Sequence, residues 1–324
     1  MRSFAGKLAV VTGGGTGMGR ELVVQLASEG CSVAACDVND VNLADTAERA
    51  RKTAAGDVRV TTHRCDVSDA AQVRRFRDEV VERHETGHIN LLFNNAGIGG
   101  GGSFVTSPQA EWERTFNVCW GGVYNCSRAF VPLLIASDEG CLVNTSSVNG
   151  FWASLGPGIP HTAYSSAKFA VKGFSEAMLA DFRVNAPHVR VALAMPGHVG
   201  TDIVINSRRA HGGSEPEDMT GEEIEEARAL IAAGSGLPAG QVSDDMVRST
   251  IKAMGEGFRD NAPLSAADAA TVILDGVRAG TWRILVGDDA HALDAAARAD
   301  PLALYEPDNP ALASILGMPL PQDT

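Results

Sequence analysis

Short β-branched runs alternate with helical stretches along the first two-thirds of the chain, and this alternation limits the fold more than any other feature. Residues 8–12, 32–37, 58–65, 89–94, 141–144 and 189–194 read as strands. Between them, 21–28, 42–53 and 70–84 carry apolar residues at helical spacing. Parallel neighbours need crossover connections, and right-handed crossovers cover both faces of one sheet with helices. The expected architecture is therefore α/β: a doubly wound, parallel, seven-stranded sheet in a single domain over 1–324, with 282–286 as its last strand.

The stretch from 196 to 282 is longer than one crossover needs. It holds two helical signals, 222–233 behind a Thr220/Glu223 capping box and 244–254, and then a crossover helix over 266–278 opening at Ser265. Their apolar stripes require a surface to cover. A helical insertion over 202–264 is expected to form a substrate lid, hinged at 211–213 and 234–236; packing on a neighbouring subunit is the alternative. Met219, Met246 and Met254 fall at helical positions there, where packing is the default. Residues 288–324 read as a C-terminal tail, helical over 291–298 and broken by prolines at 301, 307, 310, 319 and 321.

Composition excludes several function classes. Among 324 residues, 40 acids against 27 basic residues give a net charge of −13, which repels phosphate backbones and anionic headgroups. Neither nucleic acid nor a membrane is expected as a partner. No apolar run reaches the ~18 residues of a membrane span. Arg2 and Lys7 bracket the N-terminus with no apolar segment between them, so a cytoplasmic protein is expected. The six cysteines include no Cys-x-x-Cys pair and read as small buried hydrophobes. His84 and His88 are the one candidate metal pair; Gly87 separates them and no third ligand is near, so no metal is expected.

Two motifs carry chemistry. Thr12-Gly13-Gly14-Gly15-Thr16-Gly17-Met18-Gly19 follows the first strand and opens a helix. Glycines there let the backbone turn sharply and approach a pyrophosphate, which sits on the unpaired N–H groups of the helix N-terminus. Asp37, at the end of the next strand, is placed to accept ribose hydroxyls. Tyr164 and Lys168 stand four apart on a helical stretch over 163–179, on one face. A phenol titrates near ~10, and a neighbouring ammonium favours its ionised form, as general acid–base catalysis near neutral pH requires.

With these residues in view, the sequence resembles the short-chain dehydrogenase/reductase family, single-domain branch, over about 8–201 and again near 282. The resemblance implies a Rossmann-type fold and a nicotinamide dinucleotide held by Gly13, Gly15, Thr16, Gly17, Met18 and Gly19. It adds Asp37 and Val38, Asp66 and Val67 at the adenine, and Asn95, Ala96 and Gly97 after the fourth strand. Pro196, Gly197, Val199 and Thr201 match the turn facing the nicotinamide, and Tyr164 and Lys168 also touch the cofactor. The implied catalytic set is Asn117, Ser147, Tyr164 and Lys168, with Ser146 the alternative to its neighbour Ser147. In that set Ser147 orients the substrate oxygen, Asn117 positions a water that links Lys168 to solvent, and Lys168 also holds the nicotinamide ribose. A homodimer or homotetramer is implied by the resemblance alone.

The segment between Ser147 and Tyr164, with 156–160 inside it, is longer than the family pattern and is expected to shape substrate access. His161 and His198 flank motifs and could touch substrate; Phe151, Trp152 and Trp120 could line a pocket or simply pack. The reading that follows is an NAD-dependent oxidoreductase acting on a secondary alcohol or ketone. The lid favours a bulky apolar substrate, whether cyclic, aryl or steroid-like. Asp37 with uncharged Thr16 and Val38 favours NAD, and Arg20 is expected to leave along the helix. The competing readings are a non-redox reaction on the same scaffold (epimerase, dehydratase or lyase) and a catalytically silent nucleotide-binding module.

Overall fold

The computed structural model describes residues 1–156, 159–235, 237–306 and 309. Pro157, Gly158 and Gly236 of the expected loop and hinge, and the prolines at 307, 310, 319 and 321, lie outside the described residues. Seven strands form one sheet in the order β3-β2-β1-β4-β5-β6-β9. They are β1 (Leu8–Thr12), β2 (Ser32–Asp37), β3 (Val60–Arg64), β4 (Leu91–Asn94), β5 (Gly140–Thr145), β6 (Val189–Pro196) and β9 (Arg283–Val286). Every neighbouring pair is parallel, with Val10 opposite both Ala34 and Leu92.

Alternation along β1 divides the core. Ala9 and Val11 join Leu22, Val23 and Leu26 of α1 (Gly17–Ser28), Leu43 and Ala47 of α2 (Asp40–Thr53), and Ile273 and Leu274 of α10 (Ala266–Ala279). Leu8 and Val10 point the other way. They meet Val73, Phe76 and Val80 of α3 (Ala70–His84) and Phe130 and Leu134 of α5 (Gly122–Ile135). Each Val, Leu, Ile or Phe among them contributes about 1.5–3 kcal/mol on full burial. The chain order reverses beside β1, so a crevice opens at the carboxyl ends of β1 and β4.

Helix starts follow their caps. Asn39, Asp69 and Ser265 each accept a backbone N–H of the first turn of α2, α3 and α10. Thr220 and Glu223 form the reciprocal capping box expected before α8 (Gly221–Ser235), with bonds of 3.3 and 2.8 Å. Three features were not legible in advance. α4 (Gln109–Phe116) runs into a π-helical turn, Asn117–Gly121, before α5. α7 (Ile203–Ala210) opens the insertion, and β7 (Val199–Gly200) pairs with β8 (Leu264–Ser265) across its base. Met219, Ile224, Val242 and Val247 give α8 and α9 (Asp244–Asp260) a small core of their own.

At the β3 edge, Thr61 Oγ1 meets His63 Nε2 at 2.9 Å and His84 Nε2 at 2.8 Å, and His63 Nδ1 meets Glu79 at 2.7 Å. His88 instead contacts Thr86, so the candidate metal pair is divided between two hydrogen-bond networks. Burial, together with the charges of Arg59, His63 and Arg83, lowers His84 to about 4. An unfolded histidine titrates near ~6.5. Between those values the unfolded chain binds a proton that the folded chain refuses, so stability falls as pH drops from about 6.5 towards about 4. Thermal melts across that range should show a shallower fall for His84→Gln than for the wild type; equal slopes would reject this assignment.

Candidate active site

The glycine turn is closed to any larger residue. Gly13 adopts φ +66°, and a Cβ there would lie 2.8 Å from Ala96 Cα. A Cβ on Gly19 would lie 2.0 Å from the Gly13 carbonyl oxygen. Thr16 caps α1 without a side-chain hydrogen bond, and the first turn carries no acid, so its amides are available to an anion. Asp37 Oδ2 accepts the Gly15 amide at 3.0 Å and Oδ1 accepts the Asn39 amide at 3.1 Å. Burial pushes this carboxyl up, against the amides of Asn39, Gly15 and Val38 and the charge of Arg20, which pull it down.

Across the crevice, Thr12 Oγ1 accepts the amides of Asn95 and Ala96 at 3.0 and 3.1 Å. Asn95 Oδ1 is buried without a partner among the described residues. Asp66 binds the Ser68 hydroxyl at 2.7 Å and Arg114 at 2.7 Å; these bonds outweigh burial and hold its carboxyl low. Gly13, Thr16, Gly17 and Met18 line one wall of the crevice. Asp37, Val38, Asp66, Val67, Asn95, Ala96, Gly97 and Thr201 complete the lining, with Ala96 against Gly13 and Thr201 against Gly17. Gly15 and Gly19 support the turn from behind instead. Gly197 donates to Val286 O at 3.0 Å, and Val199 is buried in the small sheet; with Pro196 they end β6 beside the crevice and are not among its lining residues.

Tyr164 and Lys168 lie on α6 (Thr162–Asn185) as their spacing predicts. Lys168 is buried, with Nζ donating to Thr145 O at 2.9 Å and standing 5.2 Å from the Tyr164 ring centre. A Cβ on Gly97 would lie 3.5 Å from Nζ, so the ammonium stands beside a residue that lines the crevice, although Tyr164, Lys168 and Ser147 are not themselves among its lining residues. Burial outweighs the Lys168 charge and a hydrogen bond with Ser147, so the Tyr164 phenol stands above its ordinary value. Ser147 Oγ also accepts the Asn149 amide at 3.1 Å. Ser146 is turned away: its hydroxyl donates to Lys168 O at 2.8 Å, leaving Ser147 to meet the tyrosine.

Asn117 is not brought to this group. It starts the π-helical turn with its side chain exposed. The extra residue in that turn shifts the helical phase, so Cys119 faces inward in its place. The Cys119 thiol is buried, bonds Ile98 O at 3.1 Å, and lies 3.7 Å from the space beside Gly97. Its nearness opposes ionisation of Tyr164. His198 is likewise spoken for: Nε2 contacts Phe258 O at 2.7 Å and the ring packs on Phe258. Arg20 does not leave along the helix but folds back onto Gly15 O at 2.7 Å, with Thr46 and Asp45 as further partners.

Sequence reasoning missed the outer wall of the crevice. α7 lies across it, and Ile203, Asn206 and Arg209 line it. Asn206 Nδ2 donates to Thr16 Oγ1 at 3.1 Å, Ser207 Oγ accepts the Gly99 amide at 2.7 Å, and His211 contacts Gly99 O at 2.8 Å. The insertion therefore reaches the crevice through α7. α9 stands behind it, with Gly255 closed on Ile205 and Arg259 paired to Asp202 at 3.1 Å. An apolar run at 203–205 was the only advance signal for α7.

Trp152 also resolves as a core residue. Its indole donates to Leu304 O at 3.1 Å, and Val148, Ala290, Leu293 and Leu304 surround it. The Tyr305 hydroxyl accepts the Ala153 amide at 3.1 Å, and Asn149 Nδ2 binds the Trp152 and Ser154 carbonyls. The described start of the tail is thus joined to the loop that follows Ser147.

Comparison with known proteins agrees with this geometry. The short chain dehydrogenase family model matches residues 7–212. The putative oxidoreductase SadH of Mycobacterium tuberculosis is 34% identical over 298 residues, 92% of each chain. A short-chain dehydrogenase/reductase from Burkholderia phymatum, solved in complex with NAD, superposes with a TM-score of 0.73 at 26% identity, covering 96% of this chain and 99% of its own. A metagenomic short-chain oxidoreductase, solved in complex with NADP, gives 0.53 at 30% identity over 60% of this chain and 83% of its own. Among the described residues no helix is long and apolar enough to cross a membrane. The glycine turn, the parallel sheet and these relatives together make the chain a member of the short-chain dehydrogenase/reductase family, whose oxidoreductases use a nicotinamide cofactor.

Proposed function

We propose that this chain is an NAD-dependent alcohol dehydrogenase or carbonyl reductase for a secondary alcohol or ketone with a bulky apolar body. The observation that carries the reading is the convergence of Tyr164, Ser147 and Lys168, with Lys168 Nζ beside Gly97 of the crevice lining. The crevice suits the cofactor: its helix N-terminus is free, its glycines leave no room for side chains, and Asn95 Oδ1 awaits a partner. A bound nicotinamide supplies or accepts the hydride. The turn amides bind the pyrophosphate, Asp37 the ribose hydroxyls, and Asp66 and Val67 the adenine edge. Lys168 has ammonium donors left after Thr145 for the second ribose.

Tyr164 exchanges a proton with the substrate oxygen. The Lys168 charge favours the phenolate and works against the burial that holds the phenol up, and Ser147 donates to the same oxygen as charge develops on it. Apolar side chains rim the approach: Phe104, Val105, Leu155 and Ile159 are exposed on two loops. Those loops are tied at the start of α6, where Thr162 N donates to Gly102 O at 2.8 Å. A bulky hydrophobic substrate covers such surface on binding. α7 acts as the lid of this reading, and α8 and α9 brace it from outside. The reading extends to a cytoplasmic homodimer or homotetramer, which sedimentation tests.

Cofactor choice follows from charge. The Asp37 carboxylate repels a 2′-phosphate, and Arg20 is committed to Gly15, Thr46 and Asp45. Turnover followed at the reduced-nicotinamide absorbance band, over a panel of aryl and cyclic secondary alcohols, should favour NAD over NADP at least about tenfold in kcat/KM, or about 1.4 kcal/mol. Equal efficiency with NADP would remove the NAD assignment. No turnover with any alcohol or ketone would remove the oxidoreductase reading.

A further inference from the structure

The start of α6, ahead of Tyr164 and Lys168, holds one more polar ring. His161 is the N-cap of α6, three positions before Tyr164, and its imidazole packs on the phenol with centroids 4.7 Å apart and planes 36° apart. The two neighbours of Tyr164 are unlike. Lys168 is committed to Thr145 O, whereas among the described residues nothing hydrogen-bonds the His161 side chain, which caps no helix amide either. Burial lowers this imidazole to about 4, so at neutral pH it is uncharged and offers one N–H donor and one nitrogen acceptor.

The surroundings hold it in place. His161 sits where the two apolar loops close on each other. On its C-terminal side Thr162 bonds Gly101 and Gly102 backbone, with Trp112 Nε1 on its hydroxyl at 3.1 Å. Before it, Pro160 bridges to Ser154. The backbone on both sides is pinned, and the ring between is left with a phenol face and no polar partner. A half-buried group with unspent hydrogen-bonding capacity, beside the group that handles the substrate oxygen, is suited to a second polar atom of the same substrate.

We infer that His161 is a specificity-determining residue that hydrogen-bonds a second oxygen of the substrate, on the carbon next to the reacting one, so that the preferred substrates are apolar vicinal diols, α-hydroxyketones or diketones. This rests on the proposed oxidoreductase reading and narrows it. The ring contact keeps the imidazole within about one ring width of the phenol, a spacing that two adjacent oxygens of one small molecule can bridge, and the exposed Phe104, Val105, Leu155 and Ile159 offer apolar surface for its body.

The test compares 1-phenylethanol with 1-phenylethane-1,2-diol, which differ only by the second hydroxyl. His161→Phe keeps a ring against Tyr164 and removes the hydrogen bond; His161→Asn keeps a hydrogen-bonding side chain and removes the ring. In the wild type the diol should be the better substrate. In His161→Phe the diol-to-monoalcohol ratio of kcat/KM should fall at least tenfold, chiefly through KM for the diol, with NAD affinity measured by fluorescence unaltered. His161→Asn should restore part of the ratio. A ratio that stays within twofold in His161→Phe, or an equal loss on both alcohols, reduces His161 to a packing partner of Tyr164 and overturns the inference while the oxidoreductase reading stands. Wild-type protein inert towards every alcohol and ketone in both directions overturns the two together.

Discussion

Tyr164→Phe is expected to lower kcat by about 10²–10⁴-fold, the range that general acid–base catalysis contributes. The phenyl ring preserves the packing against His161 and the contact with Lys168, so only the proton carrier is lost. NAD affinity, measured by titration calorimetry, should change less than twofold, because the proposed reading puts the pyrophosphate on the glycine turn and the riboses on Asp37 and Lys168, none of which the substitution alters. Single-turnover kinetics place the loss in the chemical step. A variant that retained more than a few per cent of activity would show that another group moves the proton.

Gly19→Ala should abolish dinucleotide binding, lowering affinity at least a hundredfold. The added methyl lies 2.0 Å from the Gly13 carbonyl oxygen and 2.6 Å from Asn95 Nδ2. Neither neighbour can retreat: Gly13 is already against Ala96, and Asn95 is fixed by two bonds to Thr12. The turn must open, and with it the anion cradle at the start of α1. Gly173→Ala is the matched control, since nothing lies within 4 Å of the methyl it adds. Far-UV circular dichroism should stay native for both, and calorimetry with NAD should separate them. Retained affinity in Gly19→Ala would mean that the turn is not the phosphate cradle.

The parallel sheet was legible because a buried strand must be apolar along its length and short crossovers leave little choice of order. β1 and β2 begin and end where the β-branched runs do. The motif residues of the crevice were legible because glycine spacing and a strand-end acid each have a backbone cause. Asn117 was not. A short motif match carries no information on helical phase, and in the π-helical turn over Asn117–Gly121 the inward position falls to Cys119. Nor did the pattern show α7 across the crevice. Its docking depends on single bonds from Asn206, Ser207 and His211 to distant backbone or hydroxyl groups, and such long-range pairs leave no periodic trace in sequence.

The joint between the chain's last described turn and the loop after Ser147 has a consequence for how enzymes of this kind diverge. Leu304 and Tyr305 lie well beyond residue 212, where the family match stops, yet they hold Trp152 and Ala153 a few residues from Ser147. Two proteins that shared every residue of the common segment could still differ in turnover, because the loop beside Ser147 would be tethered in one and slack in the other. Selection can then retune substrate range by editing a segment outside the common match, leaving Tyr164 and Lys168 untouched. Transplanting 300–309 together with the 147–156 loop, rather than the loop alone, is the exchange that would carry a preference from one scaffold to another.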